Sequence, residues 1–343
     1  MSNYGTTTRH HPAAAAVKDR GTDYHTTLFR RLSWEGTVPL EIRVDPNELP
    51  ANSDRGLECY FIQAPRVSYL PLLMPEIRRF LMDVVFDEAA AKVLKEEEWW
   101  FECDDGTLLK CPFLLGTGLS DSSTTTTPSS RPVRPGPSAA STMATPLRLI
   151  LHLASPPTDK LLLSPSAEAC KQAFMGQLKE ADFIRWGNTK RITGLRKVDQ
   201  DGLWEGIKEH NFDDYWRVAA KVTPTTSPAE RDGAYNVRSV PVRIYLPDGP
   251  VIQDLVPPIL EDGTPHTLSH FLSTHVPLLF PPRPPAPPPS RSNPRPQAPS
   301  VAELAYALVQ GVLTPPDSEM AWLGACLAGA DGWLNVCVGI SRK

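Results

Sequence analysis

The chain has 343 residues, 41% of them hydrophobic, and a formal net charge of −4. That is enough for two or three domains with real cores, and the slight net acidity leaves no global basic footprint for nucleic acid. No apolar run approaches the ~20 residues that span a membrane as a helix. Thirty-seven prolines are more than compact structure uses, so part of the chain is expected to be linker or disordered.

Residues 1–22 are polar and alanine-rich, read as a disordered tail. They lack the apolar core of a signal peptide, so a secreted destination is not expected. The first foldable unit, 23–160, contains "GTVPLEIRVDP", where Val38, Leu40, Ile42 and Val44 alternate with polar residues as a half-buried strand does. "LECYFIQAP" is a second strand. "LPLLMPEIRRFLMDVVFDEAAAKVL" reads as a helix with Leu73, Ile77, Leu81 and Val84 on one face. "EWWFECDDGTLLK" predicts a hairpin about Asp105-Gly106, and "PLRLILHLA" one more strand. A Ser/Thr/Pro insertion at 120–145 interrupts this unit.

Residues 161–222 read as helical. Ser164-Pro165 predicts a helix start. Ala167, Cys170, Phe174, Leu178 and Ala181 are then expected to share a face, with Lys179 about 140° from its centre at ~100° per residue and so pointing to solvent. Gly187-Asn188 ends that helix, and Asp199 and Asp213 are read as caps of two more. A linker at 223–236 leads to a last unit, 237–343, that repeats the first. Val240, Val242, Ile244 and Leu246 alternate, Pro247-Asp248-Gly249 turns into a second strand, and "TLSHFLSTHV" is a short helix capped by threonine. "AYALVQGV", a helix about "SEMAWLGACL", and the strand "GWLNVCVGI" follow. Ten prolines in the nineteen residues 281–299 form a loop inside this unit, one that an SH3-like groove could also bind. The fold class is α+β: two ubiquitin-like (β-grasp) domains flanking a helix-rich domain.

No catalytic constellation emerges: there is no G-x-S-x-G, P-loop or H-E-x-x-H. His266 and His270 lack a third metal ligand at suitable spacing, and the six scattered cysteines lack C-x-x-C pairing. Neither metal nor cofactor is expected. Cys111 has only Lys110 beside it to lower its pKa and is read as an inert thiol. The chain ends "GISRK", without the glycine tail of a ubiquitin-like donor, so a donor role is not expected, while an acceptor role stays open. An isopeptide acceptor needs only an exposed lysine amine and an enzyme that helps deprotonate it.

The stretches "WEGTVPLEIRV", "PRVSYLPLLMPEIRRF", "WFECDDGTLLK", "QLKEADFIR", "LWEGIKEHNFDDYW", "VPVRIYLPDGPVIQ" and "GTPHTLSHFL" together resemble the autophagy protein 5 family, in family order across nearly all the foldable chain. The resemblance implies a non-enzymatic scaffold in which the lysine of "LKEAD", here Lys179, receives autophagy protein 12. It implies a groove formed by all three domains for a helix of autophagy protein 16, with Trp34, Arg66 and Tyr69 as candidates; core packing is the favoured role of Tyr69 and an alternative for Trp34. The conjugate would recruit and stimulate the enzyme that links autophagy protein 8 to phosphatidylethanolamine. That implies a cytoplasmic protein, peripheral on the membrane of the phagophore assembly site. Two stretches depart from the family: "CPFLLGTGL" after Lys110, and "ACLAGADGWLNV" near the end.

Glu180 and Asp182 are expected to be exposed, available to transfer machinery or merely solubilising. Arg185, Lys190, Arg191, Arg196 and Lys197 form a basic cluster for which lipid headgroups are one partner, Lys190 and Arg191 being the candidate contacts; nearby acids offer the alternative of a balanced surface. The competing functional classes are an unconjugated ubiquitin-like adaptor and, third, a deubiquitinase-like thiol enzyme using Cys111.

Overall fold

The computed structural model describes residues 13–49, 58–86, 94–104, 106–109, 146–161, 166–226, 231–247, 249–282 and 304–341, with only the backbone for 13–23. Cys111, the whole Ser/Thr/Pro insertion, Ser164-Pro165 and most of the proline tract lie outside these residues.

The first helix, α1 (Ala13–Glu35), begins inside the stretch expected to be a tail. Its opening alanines are the strongest helix formers available. The strands β1 (Thr37–Val44), β2 (Tyr60–Pro65), β3 (Trp100–Cys103) and β4 (Leu147–His152) form a sheet in the order β2-β1-β4-β3. β1 pairs antiparallel with β2 and parallel with β4, so first and last strands lie side by side at the centre, the β-grasp arrangement. The expected turn is present: Gly106 has φ +82°, and Leu109 N–H bonds to Phe101 O at 3.0 Å.

The helix α2 (Leu70–Phe80) covers one face of the sheet with Leu70, Leu73 and Ile77. It then widens into a π turn, Leu81–Val85. The longer turn advances the buried face by one position, so Val85 is buried where spacing predicted Val84.

The second sheet holds β5 (Val240–Tyr245), β6 (Ile252–Val256), β7 (Ala305–Val309), β8 (Val312–Leu313) and β9 (Leu334–Ile340), in the order β6-β5-β9-β7-β8. β5 and β9 run parallel at its centre, as β1 and β4 do in the first. Its core takes Leu268, Phe271 and Leu272 from one short helix (Leu268–His275) and Met320 and Leu323 from another (Met320–Cys326). Thr267 Oγ1 caps the former, accepting from His270 N–H at 3.3 Å.

Between the sheets lie α3 (Ala167–Trp186), α4 (Lys190–Thr193), α5 (Lys197–Lys208) and α6 (Phe212–Ala219). Their caps differ from expectation. Ser166, not Ser164, starts α3, accepting from Ala169 N–H at 3.2 Å. Asn211, not Asp213, starts α6, its Oδ1 accepting from Asp213 and Asp214 N–H, both at 3.1 Å. Asp199 sits in the first turn of α5, buried and bonded to Arg196 Nε at 3.3 Å.

α5 and α6 cross at Gly206, where an added Cβ would lie 2.8 Å from Tyr215 Cβ and 2.9 Å from its Cα. Gly206→Ala should therefore cost about 1–3 kcal/mol through forced separation of the helices. A thermal melt checks this; an unchanged midpoint would mean that the crossing yields.

Candidate functional site

Lys179 is exposed on α3, between buried Leu178 and Ala181 on the helix's other side. The helix that carries it is fixed at both ends. Ser166 caps its start, and Gly187, at φ +73°, closes its C-terminus with its N–H on Phe183 O at 2.7 Å. Among the described lysines, Lys171 pairs with Asp201 at 2.8 Å, Lys208 with Glu205 at 3.2 Å and Lys221 with Asp199 at 3.4 Å. Lys179 makes no hydrogen bond or ion pair to a described residue. What the position offers chemically is a primary amine on a mobile stem, rooted in a rigid helix.

The adjacent side of α3 is built differently. Leu178, Asp182 and Arg185 line a narrow cleft. The first unit contributes Arg30, Ser33, Trp34 and Val67, and the second ubiquitin-like unit contributes Gln310, Ala328, Gly329, Ala330 and Gly332. All three parts of the chain therefore meet at one cleft, and at ~100° per residue Lys179 lies about 60–120° round the helix from the three residues it gives to the wall.

Asp182 corrects the sequence reading. It is 2% exposed, and its Oδ2 accepts from Ile192 N–H at 3.3 Å, tying α4 to α3. Burial pushes its carboxyl above the ordinary value. It is an internal cap, unavailable to an outside enzyme. Glu180 is exposed, as expected.

The groove candidates separate. Trp34 lines the cleft, its ring stacked on His210 at 5.8 Å and tilted against Tyr215 at 4.6 Å. Tyr69 is fully buried beside Trp204 in the bundle core and offers no surface to a groove. Arg66 is half-buried and packs over the glycines at 36 and 311, spanning from the first unit to the β7–β8 turn. Of the basic cluster, Arg185 is buried and donates to Gly332 O. Burial pushes its guanidinium down to about 10, so it stays charged at neutral pH. Arg191 is engaged with Asp232 at 2.6 Å and lies 4.1 Å over the Trp186 ring. Arg196 pairs with Asp199, while Lys190 and Lys197 are exposed.

The departing stretch "ACLAGADGWLNV" supplies what sequence reading missed. Its turn packs on α3, where a Cβ on Gly332 would stand 2.9 Å from Ala181 Cβ. Tyr215 Oη donates to Ala330 O at 2.9 Å. The run of small residues was the visible sign of a close approach.

Asp45, Glu48 and His152 bring three possible metal ligands together. Their donors are already used: Glu48 Oε2 accepts from Leu153 and Ala154 N–H at 2.5 and 3.1 Å, and His152 Nδ1 lies 2.9 Å from Glu48 Oε1. The group clamps the end of β4. His266 and His270 meet edge to face with ring centres 4.9 Å apart, and His266 Nδ1 bonds to Pro257 O at 3.1 Å.

Three family models match the chain in succession: "Autophagy protein ATG5, UblA domain" over residues 33–152, "alpha-helical bundle region" over 167–225 and "UblB domain" over 239–338. The chain belongs to the autophagy protein 5 family. Autophagy protein 5 of Penicillium rubens is 28% identical over 335 residues, covering 90% of this chain and 96% of that protein. The Phaeosphaeria nodorum protein of the same name is also 28% identical, over 333 residues covering 91% and 97%. A crystal structure of Kluyveromyces marxianus Atg5 shares the fold, with a TM-score of 0.65 and 21% identity over 91% of this chain and 99% of that one. Membership gives this chain a role in autophagy and accounts for the two β-grasp sheets flanking a helical bundle. Among the described residues, no helix is long and apolar enough to cross a membrane.

Proposed function

We propose that this chain is the isopeptide acceptor and scaffold of an autophagy conjugation complex, without catalytic residues of its own. Lys179 is joined to autophagy protein 12. The cleft holds a helix of autophagy protein 16, with Trp34 in its wall. The assembled complex recruits and stimulates the conjugating enzyme that links autophagy protein 8 to phosphatidylethanolamine.

The observation that carries this reading is the placement of Lys179: an unpaired, exposed amine on a rigid helix whose other face lines the three-part cleft. In the joining step the neutral amine attacks the thioester carbonyl of the activated partner. The C–N bond forms as the C–S bond breaks, the enzyme thiolate leaves, and the proton released from nitrogen passes to it or to solvent. Mass spectrometry of chain purified from cells tests the assignment. A branched peptide at Lys179 is expected; its absence, with the protein still bound to its partners, would favour an unconjugated adaptor.

Membrane contact is part of the same proposal: the complex sits peripherally on the phagophore membrane from the cytoplasm. Lys190 and Lys197 carry it better than Arg191, whose charge is already balanced by Asp232. Each exposed lysine near an anionic surface contributes ~1 kcal/mol. Lys190→Glu with Lys197→Glu should sharply reduce flotation with anionic liposomes at low salt. Unchanged flotation would remove this face from the membrane.

A further inference from the structure

The first ubiquitin-like unit carries a group of titratable side chains that neither Lys179 nor the cleft uses. Asp45 caps the turn after β1 (Pro46–Glu48), Glu48 ends it, and both face His152 at the end of β4. Each carboxylate is held by the backbone through one oxygen only. Asp45 Oδ1 accepts from Asn47 N–H at 2.8 Å, and Glu48 Oε2 accepts from Leu153 and Ala154 N–H. The remaining oxygens, Asp45 Oδ2 and Glu48 Oε1, lie 3.4 and 2.9 Å from His152 Nδ1. On the far side of the ring Glu102 Oε2 is 3.2 Å from Nε2, which is buried and makes no hydrogen bond. The charges are unmatched as well. Glu41, Asp199 and Asp331, buried elsewhere in the fold, each face at least one arginine. Asp45, Glu48 and Glu102 pair with no lysine or arginine among the described residues, and a single imidazole stands among the three.

We propose that Asp45, Glu48 and His152 bind one divalent transition-metal ion, zinc foremost, through Oδ2, Oε1 and Nδ1. Three ligands about 2.0–2.1 Å from a tetrahedral zinc stand ~3.3 Å apart, and the two distances to Nδ1 bracket that value. The imidazole disfavours calcium and magnesium, which take oxygen ligands, and the lack of a thiolate disfavours copper(I). The ion takes the place of the hydrogen bond between Nδ1 and Glu48. With Nδ1 on the ion, the ring's proton sits on Nε2 and points to Glu102, the outer carboxylate that orients a ligating histidine. Water completes the fourth position. The consequence is mechanical. β1 and β4 lie side by side at the centre of the first sheet, and the ion pins the turn after one to the end of the other. The site shares no residue with the cleft or with α3, so it stands whether or not Lys179 is joined. Local spacing does not show it, because Glu48 and His152 are 104 residues apart.

The test uses the full chain without a histidine tag, stripped with a chelator and then titrated with Zn²⁺. Equilibrium dialysis should find one tightly held zinc per chain, and the thermal midpoint should rise as zinc saturates. Asp45→Asn and Glu48→Gln each keep an oxygen for the backbone N–H groups and lose a charged ligand. Each should weaken zinc by about tenfold or more, and Glu102→Gln, behind the ring, by roughly tenfold. In chelator these variants should melt no lower than the unaltered chain, because each removes one of three crowded carboxylates; a cluster that served only as a clamp would lose stability instead. An unaltered chain that holds no zinc overturns the site. Zinc that binds undiminished in Asp45→Asn combined with Glu48→Gln overturns it too, and would place the ion elsewhere, with His266 and His270 the next pair to alter.

Discussion

Lys179→Arg should abolish the conjugate on a denaturing gel while leaving the melting temperature unchanged. The stability expectation follows from surroundings: the side chain is exposed and has no described partner, and surface substitutions of that kind fall within about 0.5 kcal/mol. The chemical expectation follows from the guanidinium, which keeps its proton at any physiological pH and so offers no lone pair to a thioester. Lys171→Arg is the matched control. Lys171 is eight residues upstream on the same helix, but its amine is held by Asp201 at 2.8 Å, and that hydrogen bond raises its pKa. The conjugate should survive there. A conjugate band that persists in Lys179→Arg would overturn the assignment, and a branched peptide moved to exposed Lys190 would show that the machinery reads a surface rather than one position.

The parts of this fold legible in the sequence are those set by local periodicity. Leu40, Ile42 and Val44, and likewise Val242 and Ile244, are buried as alternation predicted, and the turns at Gly106 and Gly187 follow from backbone freedom at glycine. The illegible parts depend on distant packing. Glu41 and Arg243 occupy the polar phase of their strands yet are buried, Glu41 beneath Arg43 and Arg148 and Arg243 against Asp331. Asp182 reads as a solvating charge until α4 starts above it. α1 has little apolar periodicity because it is held largely by single contacts to other units: Arg30 Nη2 to Ala325 O at 2.8 Å, Arg31 to Asp213 at 2.5 Å, and Trp34 in the bundle core. The exposed lysine proposed as acceptor was singled out by motif and helical phase. The cleft behind it was not, because its walls come from residues up to three hundred positions apart.

Asp331→Ala should be the most destabilising of these changes, by about 3–5 kcal/mol, out of the ~5–15 kcal/mol that holds a domain folded. Asp331 is 1% exposed. Its Oδ2 accepts from Arg243 Nη1 at 2.7 Å and its Oδ1 from Trp333 N–H at 3.2 Å. Burial pushes its carboxyl up, against the pull of the Arg243 and Arg185 guanidiniums. Removing it would leave two buried cations facing one another, with Arg243 supported only by the Trp333 ring at 4.1 Å. Desolvation that the carboxylate now offsets would then go uncompensated, which is why truncating one partner costs more than the pair itself contributes. Combining Asp331→Leu with Arg243→Met tests that logic, since the double variant should recover much of the loss seen in Asp331→Leu alone; Arg185 stays charged and limits the recovery. Urea unfolding measures both. A loss below 1 kcal/mol in Asp331→Ala would mean that water reaches the site and solvates the arginines. Because Gly332 and Ala330 hang on the same turn and bond to Arg185 and Tyr215, the variant should also loosen the second ubiquitin-like unit from α3. The cleft and the lysine's helix share that anchor, so partner binding in the cleft should weaken even where Lys179 remains chemically intact.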